Sequence, residues 1–134
     1  MERRGRVKAL LDTHTLLWAT LKSARLPTQI RAIIADDSNP ILVSAASAWE
    51  ISTKVRLGKL ASAEKFERNF ISVVQSAGYI LLPIEVSDAL RAGRLVGDHR
   101  DPFDRMIAAQ AIARDIPVLS NDPRLDQFGV RRMW

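Results

Sequence analysis

The sequence predicts a single α/β domain, a parallel sheet covered by helices on both faces. Three observations predict it. Short, continuously apolar runs at residues 7–11, 41–43, 79–84 and 117–119 alternate with longer stretches of helical period. Such runs mark strands buried on both faces. The length, 134 residues, is about one domain, enough to bury roughly two-thirds of the surface the unfolded chain exposes. The composition, 47% hydrophobic and 26% charged, is that of a folded chain and not a disordered one.

The elements follow in order. Residues 7–11 form a compact apolar strand ended by Asp12. Residues 13–21 turn helical, with Leu16, Leu17, Trp18 and Leu21 on one side. Pro27 opens a new element, with Thr28 as N-cap of a helix over 29–37. The turn Asn39-Pro40 leads into a second strand, 41–43. Residues 45–57 read as a helix stopped by Gly58, with Ser47, Glu50, Thr53 and Lys54 on its outward side. A single amphipathic helix is expected over 63–77, a third strand over 79–84 and a helix over 85–96. After a charged loop, 98–101, comes a strong helix over 102–115. A strand at 117–119, a loop at 120–123 and a short fifth strand at 130–133 complete the chain.

Several classes are excluded. There is no cysteine, hence no disulfide framework, thiolate metal site or cysteine nucleophile. Two histidines, His14 and His99, are too few for a histidine-dominated zinc cage. No apolar run approaches the roughly 20 residues that span a bilayer, and 7–12 is too short and charged for a signal-peptide core. A cytoplasmic home without membrane contact is expected. Net charge is +5, of which residues 1–8 supply +3. Residues 1–6 read as a basic, flexible arm preceding a domain over 7–134, and the basic balance hints at an anionic partner.

In open parallel sheets the functional crevice lies beyond the C-terminal ends of the strands. Asp12 and Thr13 follow the first strand, and Ser44 follows the second. Glu50 comes nearly two turns later, and Ser120 and Asp122 follow the fourth strand. Asp101 and Asp104 open the helix leading into that strand. Each has a structural explanation. Asp12, Asp101 and Asp122 read as helix caps, Asp104 as an acid favoured by the helix dipole, and Glu50 as half of an i,i+4 pair with Lys54. Together, Asp12, Glu50, Asp104 and Asp122 make a costly cluster. Two unit charges at about 4 Å repel by about 4 kcal/mol at an effective dielectric near 20. Hard oxygen donors without cysteine select Mg²⁺ or Mn²⁺, an ion suited to phosphoryl chemistry.

Four motifs carry a resemblance to a known family: Leu10-Leu11-Asp12-Thr13-His14, Val43-Ser44-Ala45-Ala46-Ser47-Ala48-Trp49-Glu50-Ile51, Asp101-Pro102-Phe103-Asp104-Arg105-Met106-Ile107-Ala108-Ala109-Gln110, and Leu119-Ser120-Asn121-Asp122. In this order and spacing they resemble a PIN-domain ribonuclease, more narrowly a VapC-type toxin of a type II toxin–antitoxin system. The resemblance covers nearly the whole chain. It implies a mostly parallel sheet of about five strands in the order 3-2-1-4-5 with helices on both faces. It implies a Mg²⁺- or Mn²⁺-dependent endoribonuclease that cuts transfer or ribosomal RNA and leaves a 5′-phosphate. The family's acidic positions fall on Asp12, Glu50, Asp104 and Asp122 as catalytic and metal-binding residues, with Asp101 beside them and Ser120 as the small polar residue before the last acid. A homodimer is implied, with a cognate antitoxin of the VapB type through which DNA is met only indirectly. An antitoxin arginine paired with the carboxylates would block the site.

Other residues are weighed beside these. Thr13 and Ser120 are expected to support the site, and His14 reads as a rim residue. His99, in Asp98-His99-Arg100-Asp101, reads as a solvated loop residue. Lys54, Arg56, Lys59 and Arg105 are candidate RNA-phosphate contacts. Trp18 and Trp49, among Leu, Ala and Ile, point to core or dimer packing over base stacking. Two rivals stand. One is a Mg²⁺ phosphatase of the haloacid dehalogenase type, which wants an acid where His14 stands. The other is a non-catalytic RNA- or partner-binding module, which an anionic rim disfavours.

Overall fold

The structure, a computed structural model, describes residues 6–134. Of the basic arm expected over 1–6, only Arg6 lies within that range, and it is exposed. Among the described residues the five strands are β1 (Ala9–Leu11), β2 (Ile41–Ser44), β3 (Ile80–Leu82), β4 (Val118–Leu119) and β5 (Arg132–Met133). All pair in parallel, in the order β3-β2-β1-β4-β5. Helices α1 (Thr13–Thr20), α2 (Thr28–Ala35), α3 (Ala45–Arg56), α4 (Glu64–Arg68), α5 (Phe70–Ser76), α6 (Val86–Arg94) and α7 (Pro102–Arg114) flank the sheet.

The continuous apolarity of the strands has a direct cause. Alternate residues point to opposite faces, and both faces are covered. Ala9, Leu11, Val43 and Leu119 enter one core with Leu16, Ile30, Ile51, Phe66 and Phe70. Leu10, Leu42 and Val118 enter the other with Ile107, Ala108, Ala111 and Leu125. Each fully buried Leu or Ile contributes about 1.5–3 kcal/mol. Register sets the functional edge: Leu11 lies beside both Val43 and Leu119, so the residues after β1, β2 and β4 emerge at one rim.

Three expectations shift. The amphipathic stretch over 63–77 is not one helix. A 3₁₀ turn at Ala61–Ala63 precedes α4, and Asn69 breaks α4 from α5, its side-chain amide donating to the Lys65 carbonyl at 2.9 Å in competition with the helical ladder. Thr28 is not a cap but the first residue of α2, after Pro27. The loop after β4 continues into a 3₁₀ helix, Pro123–Phe128, which buries Leu125 and Phe128.

Candidate active site

The rim is built by three helix caps. Asp12 ends β1 and its Oδ1 accepts from the Thr15 N–H at 2.9 Å, starting α1. Asp101 Oδ1 accepts from Phe103 and Asp104 N–H at 2.9 and 3.1 Å, with Pro102 as first residue of α7. Asp122 Oδ1 accepts from the Arg124 N–H at 3.0 Å. The capping reading of these acids therefore holds, and it delivers them to one place. Capping takes up one carboxylate oxygen of each.

Charges converge on this edge. Asp12 is buried, and burial pushes its carboxyl up against hydrogen bonds from Ser120 and Thr15 that pull it down. Asp104 is pushed up to about 6, first by burial and then by the charges of Asp101, Glu50 and Asp12, while its hydrogen bond to His99 opposes the rise. The repulsion identifies Asp12, Glu50, Asp101 and Asp104 as one electrostatic neighbourhood. Asp122 belongs to it through His99: ligand-capable atoms of His99, Asp104 and Asp122 all lie within 4.8 Å of one another. Asp122 itself is held low by hydrogen bonds from Arg124.

Glu50 departs from the sequence expectation. The helical period puts it, with Ser47, on the outward side of its helix, yet both are buried, Glu50 at 3% exposure. Helix α3 is packed on more than one side, against α1, α4 and α7, so its polar stripe faces the rim and not open solvent. Ser47 Oγ shares a hydrogen bond with Thr13 Oγ1 at 3.0 Å, tying α3 to α1. Glu50 Oε2 accepts from Lys54 Nζ at 2.6 Å. Its other oxygen, Oε1, is buried with no hydrogen-bond partner. A buried bare carboxylate oxygen is rare in a folded protein and calls for a ligand or strain to explain it.

The supporting residues divide. Ser120 Oγ accepts from the Asp122 N–H at 3.0 Å and bonds Asp12, so it bridges two acids of the rim. Ser44 Oγ caps α3 through the Ala46 N–H and donates to Gln110 Oε1 at 2.6 Å. Arg56 and His14 are exposed. Arg105 is not placed as a phosphate contact. Its guanidinium donates to the carbonyls of Ala92, Leu95, Gly97 and His99 and lies over the Phe128 ring, 5.2 Å from its centre. Trp18 is partly buried against Trp134, their ring centres 5.7 Å apart, but Trp49 is 59% exposed and meets Phe103 edge-on at 4.7 Å, outside the core.

His99 is the residue the sequence misjudged most. It is buried, not solvated, and its Nε2 lies 2.7 Å from Asp104 Oδ2. Its neighbours Asp98 and Arg100 are exposed, which disguised it. The available signal was its place five residues before Asp104.

The donor set fits a hard divalent cation: four carboxylates near one rim, one of them with a buried bare oxygen, and one carboxyl pushed far above its ordinary value.

The chain is similar to several known proteins. Over 36 residues the chain is 58% identical to Ribonuclease VapC16 of Mycobacterium tuberculosis. That stretch is 27% of this chain and 26% of that protein, so the match spans about a quarter of the relative's length. The chain also superposes on a solved structure of VapBC2 from Rickettsia felis bound to a DNA fragment from their promoter. There the TM-score is 0.68 at 17% identity, over 95% of this chain and 98% of that one. FitAcB from Neisseria gonorrhoeae gives a TM-score of 0.61 at 20% identity, over 94% and 96%. These structures share the fold. The family profile described as PIN domain matches residues 9–130, a span that takes in Asp12, Glu50, Asp104 and Asp122. The chain belongs to the PIN-domain family.

Proposed function

We propose that this protein is a metal-dependent endoribonuclease of the VapC type. In this reading it is a toxin that cleaves transfer or ribosomal RNA, stops translation and growth, and is neutralised by a cognate antitoxin. One observation carries the reading: carboxylates from separate segments meet at the strand-end rim and leave Glu50 Oε1 buried and bare. The family membership and the short, close match to a protein named as a ribonuclease support it. The fold shared with VapBC2, solved bound to a DNA fragment from their promoter, supports an antitoxin partner through which DNA is met, and a homodimer belongs to the same reading. Among the described residues no helix is long and apolar enough to cross a membrane; action on cytoplasmic RNA is part of the proposal.

Asp12, Glu50, Asp104 and Asp122 would hold Mg²⁺ or Mn²⁺. Such an ion, when bound, supplies Lewis acidity to a phosphodiester and lowers the pKa of the attacking water. The bond broken is phosphorus to the 3′ oxygen; the water oxygen stays on the 5′-phosphate fragment and a proton ends on the 3′-hydroxyl. Asp12 is fixed for this work by the Thr15 N–H and Ser120. Glu50 offers Oε1, and Lys54 beside it supplies a cation for the RNA backbone, with exposed Arg56 further along α3. Burial and the charges of Asp101, Glu50 and Asp12 push the Asp104 carboxyl up to about 6, and a cation held there would favour its ionised form.

The test is cleavage of total cellular RNA by purified protein in Mg²⁺ or Mn²⁺ against chelator, beside Asp104→Asn. Discrete metal-dependent fragments with 5′-phosphate ends, absent with the variant, are expected. RNA bound equally in chelator and never cut would replace the enzyme with an RNA-binding module.

A further inference from the structure

The loop between α6 and α7 is exposed at Val96, Gly97, Asp98 and Arg100, yet it buries one ring, His99. Several contacts are spent on placing that ring. The His99 N–H donates to Gln127 Oε1 at 3.1 Å, and its carbonyl accepts from Arg105 at 3.0 Å. Arg105 also gathers the carbonyls of Ala92, Leu95 and Gly97. Gly97 has φ +152°, and a Cβ there would lie 2.5 Å from Gln127 Oε1 and 2.8 Å from the Phe128 ring. Only glycine lets the loop lie so close. The ring centre sits 6.3 Å from that of Phe128, and its polar end meets Asp104 Oδ2 at 2.7 Å.

We infer that His99 is a positioning residue: its Nε2–H holds Oδ2 of Asp104 and fixes the orientation in which Asp104 meets a divalent cation. The inference rests on the metal-site reading above. An ionised carboxylate only accepts hydrogen bonds, so the ring nitrogen is the donor. Asp104 is the one rim acid whose carboxylate has no backbone N–H hydrogen bond or lysine to hold it among the contacts described, which leaves His99 as its anchor. Partners that orient a metal-binding carboxylate typically contribute 10–100-fold in metal affinity or activity.

The experiment measures Mn²⁺ affinity of the full chain by calorimetry, with melting temperature in chelator, for wild type, His99→Gln, His99→Leu and Asp104→Asn. Gln carries an amide N–H at the Nε2 position; Leu has similar bulk and no donor. His99→Leu is expected to weaken Mn²⁺ binding about 10–100-fold, and His99→Gln to stay within about threefold of wild type, the two melting alike in chelator. Wild-type affinity in a folded His99→Leu protein overturns the inference, as does equal loss in both variants. Pulsed electron paramagnetic resonance of Mn²⁺ in the wild type needs no variant: an imidazole-nitrogen coupling would make His99 a ligand and end the positioning role. Failure of the underlying reading looks different, because wild type would then bind no Mn²⁺ or bind it unaltered by Asp104→Asn.

Discussion

Two buried carboxylates of this protein are alike in burial and opposite in circumstance. Asp88, 2% exposed, is surrounded by donors. Arg114 reaches both its oxygens at 3.0 and 3.1 Å, the Glu85 N–H donates at 3.0 Å, and Gln110 Nε2 adds a contact at 3.3 Å. Glu50, 3% exposed, has one lysine on Oε2 and nothing on Oε1. Asp88 joins α6 to α7 and asks for nothing more. At the strand-end rim Glu50 keeps one bare oxygen and Asp104 is crowded by the charges of Asp101, Glu50 and Asp12. A buried charge costs several kcal/mol unless compensated, so the first site is complete as folded and the second is where the proposed cation would supply the compensation. Satisfaction of hydrogen bonds separates a structural acid from a functional one better than burial does.

Removing a rim acid should break the comparison most sharply. Asp104→Asn is expected to reduce RNA cleavage at least a hundredfold while its melting temperature in chelator stays at or above wild type, since a repulsive charge is gone. A cation at a hundred times its Kd adds about 2.7 kcal/mol to stability; that gain, read as a Mn²⁺-dependent rise in melting temperature, should vanish in the variant. A clear loss of stability in chelator would make Asp104 a structural acid like Asp88.

The converse substitution comes next. Asp88→Ala strands Arg114 and leaves Gln110 short of a partner, and should cost about 3 kcal/mol, a fall in melting temperature on the order of 10 °C. Cleavage per folded molecule should hold at wild-type level below that temperature.

Acid titration sharpens the contrast because the two sites shift oppositely. Burial alone would raise Asp88, but the hydrogen bonds from Arg114, Glu85 and Gln110 outweigh it and hold the carboxyl below its ordinary 3.8. Its stabilisation is present above that value and is lost as pH falls through the lowered one. Asp104, raised from 3.8 to about 6, binds a proton more readily folded than unfolded. Metal-free stability should therefore fall as pH rises from about 4 to 6, by about 3 kcal/mol at most. Asp12 is shifted in the same direction. Melting curves in chelator across that window should slope downward for wild type and lie flatter for Asp104→Asn.

Much of this was legible in the sequence, and the exceptions share a cause. The strand runs, the caps at Asp12, Asp101 and Asp122, and the strand order follow from local patterns and the family resemblance. What escaped depends on distant partners. His99 is buried by Gln127, 28 residues on, and by Arg105 from the next helix. Ser47 is buried by Thr13, 34 residues back. Asp88 passes for a surface helix acid until Arg114, 26 residues later, is folded onto it. Periodicity reports which face of an element is apolar, not whether its polar face is also covered.

The smallest effect tests the comparison between two arginines. Arg124 grips Asp122 much as Arg114 grips Asp88, with contacts of 2.8–3.2 Å to both oxygens. The Arg124 side chain, however, is 66% exposed against 25% for Arg114. An exposed ion pair adds little to stability because solvent screens it, so Arg124→Gln should scarcely move the melting temperature. It also removes the positive charge nearest a proposed cation ligand. Mn²⁺ should then bind a few-fold tighter, as expected for the loss of one exposed competing charge. Unchanged or weaker binding would mean that Arg124 orders Asp122 for the site instead of competing for it. The same bidentate geometry serves two ends: the buried Arg114 completes its acid, and the exposed Arg124 can be displaced without cost to the fold.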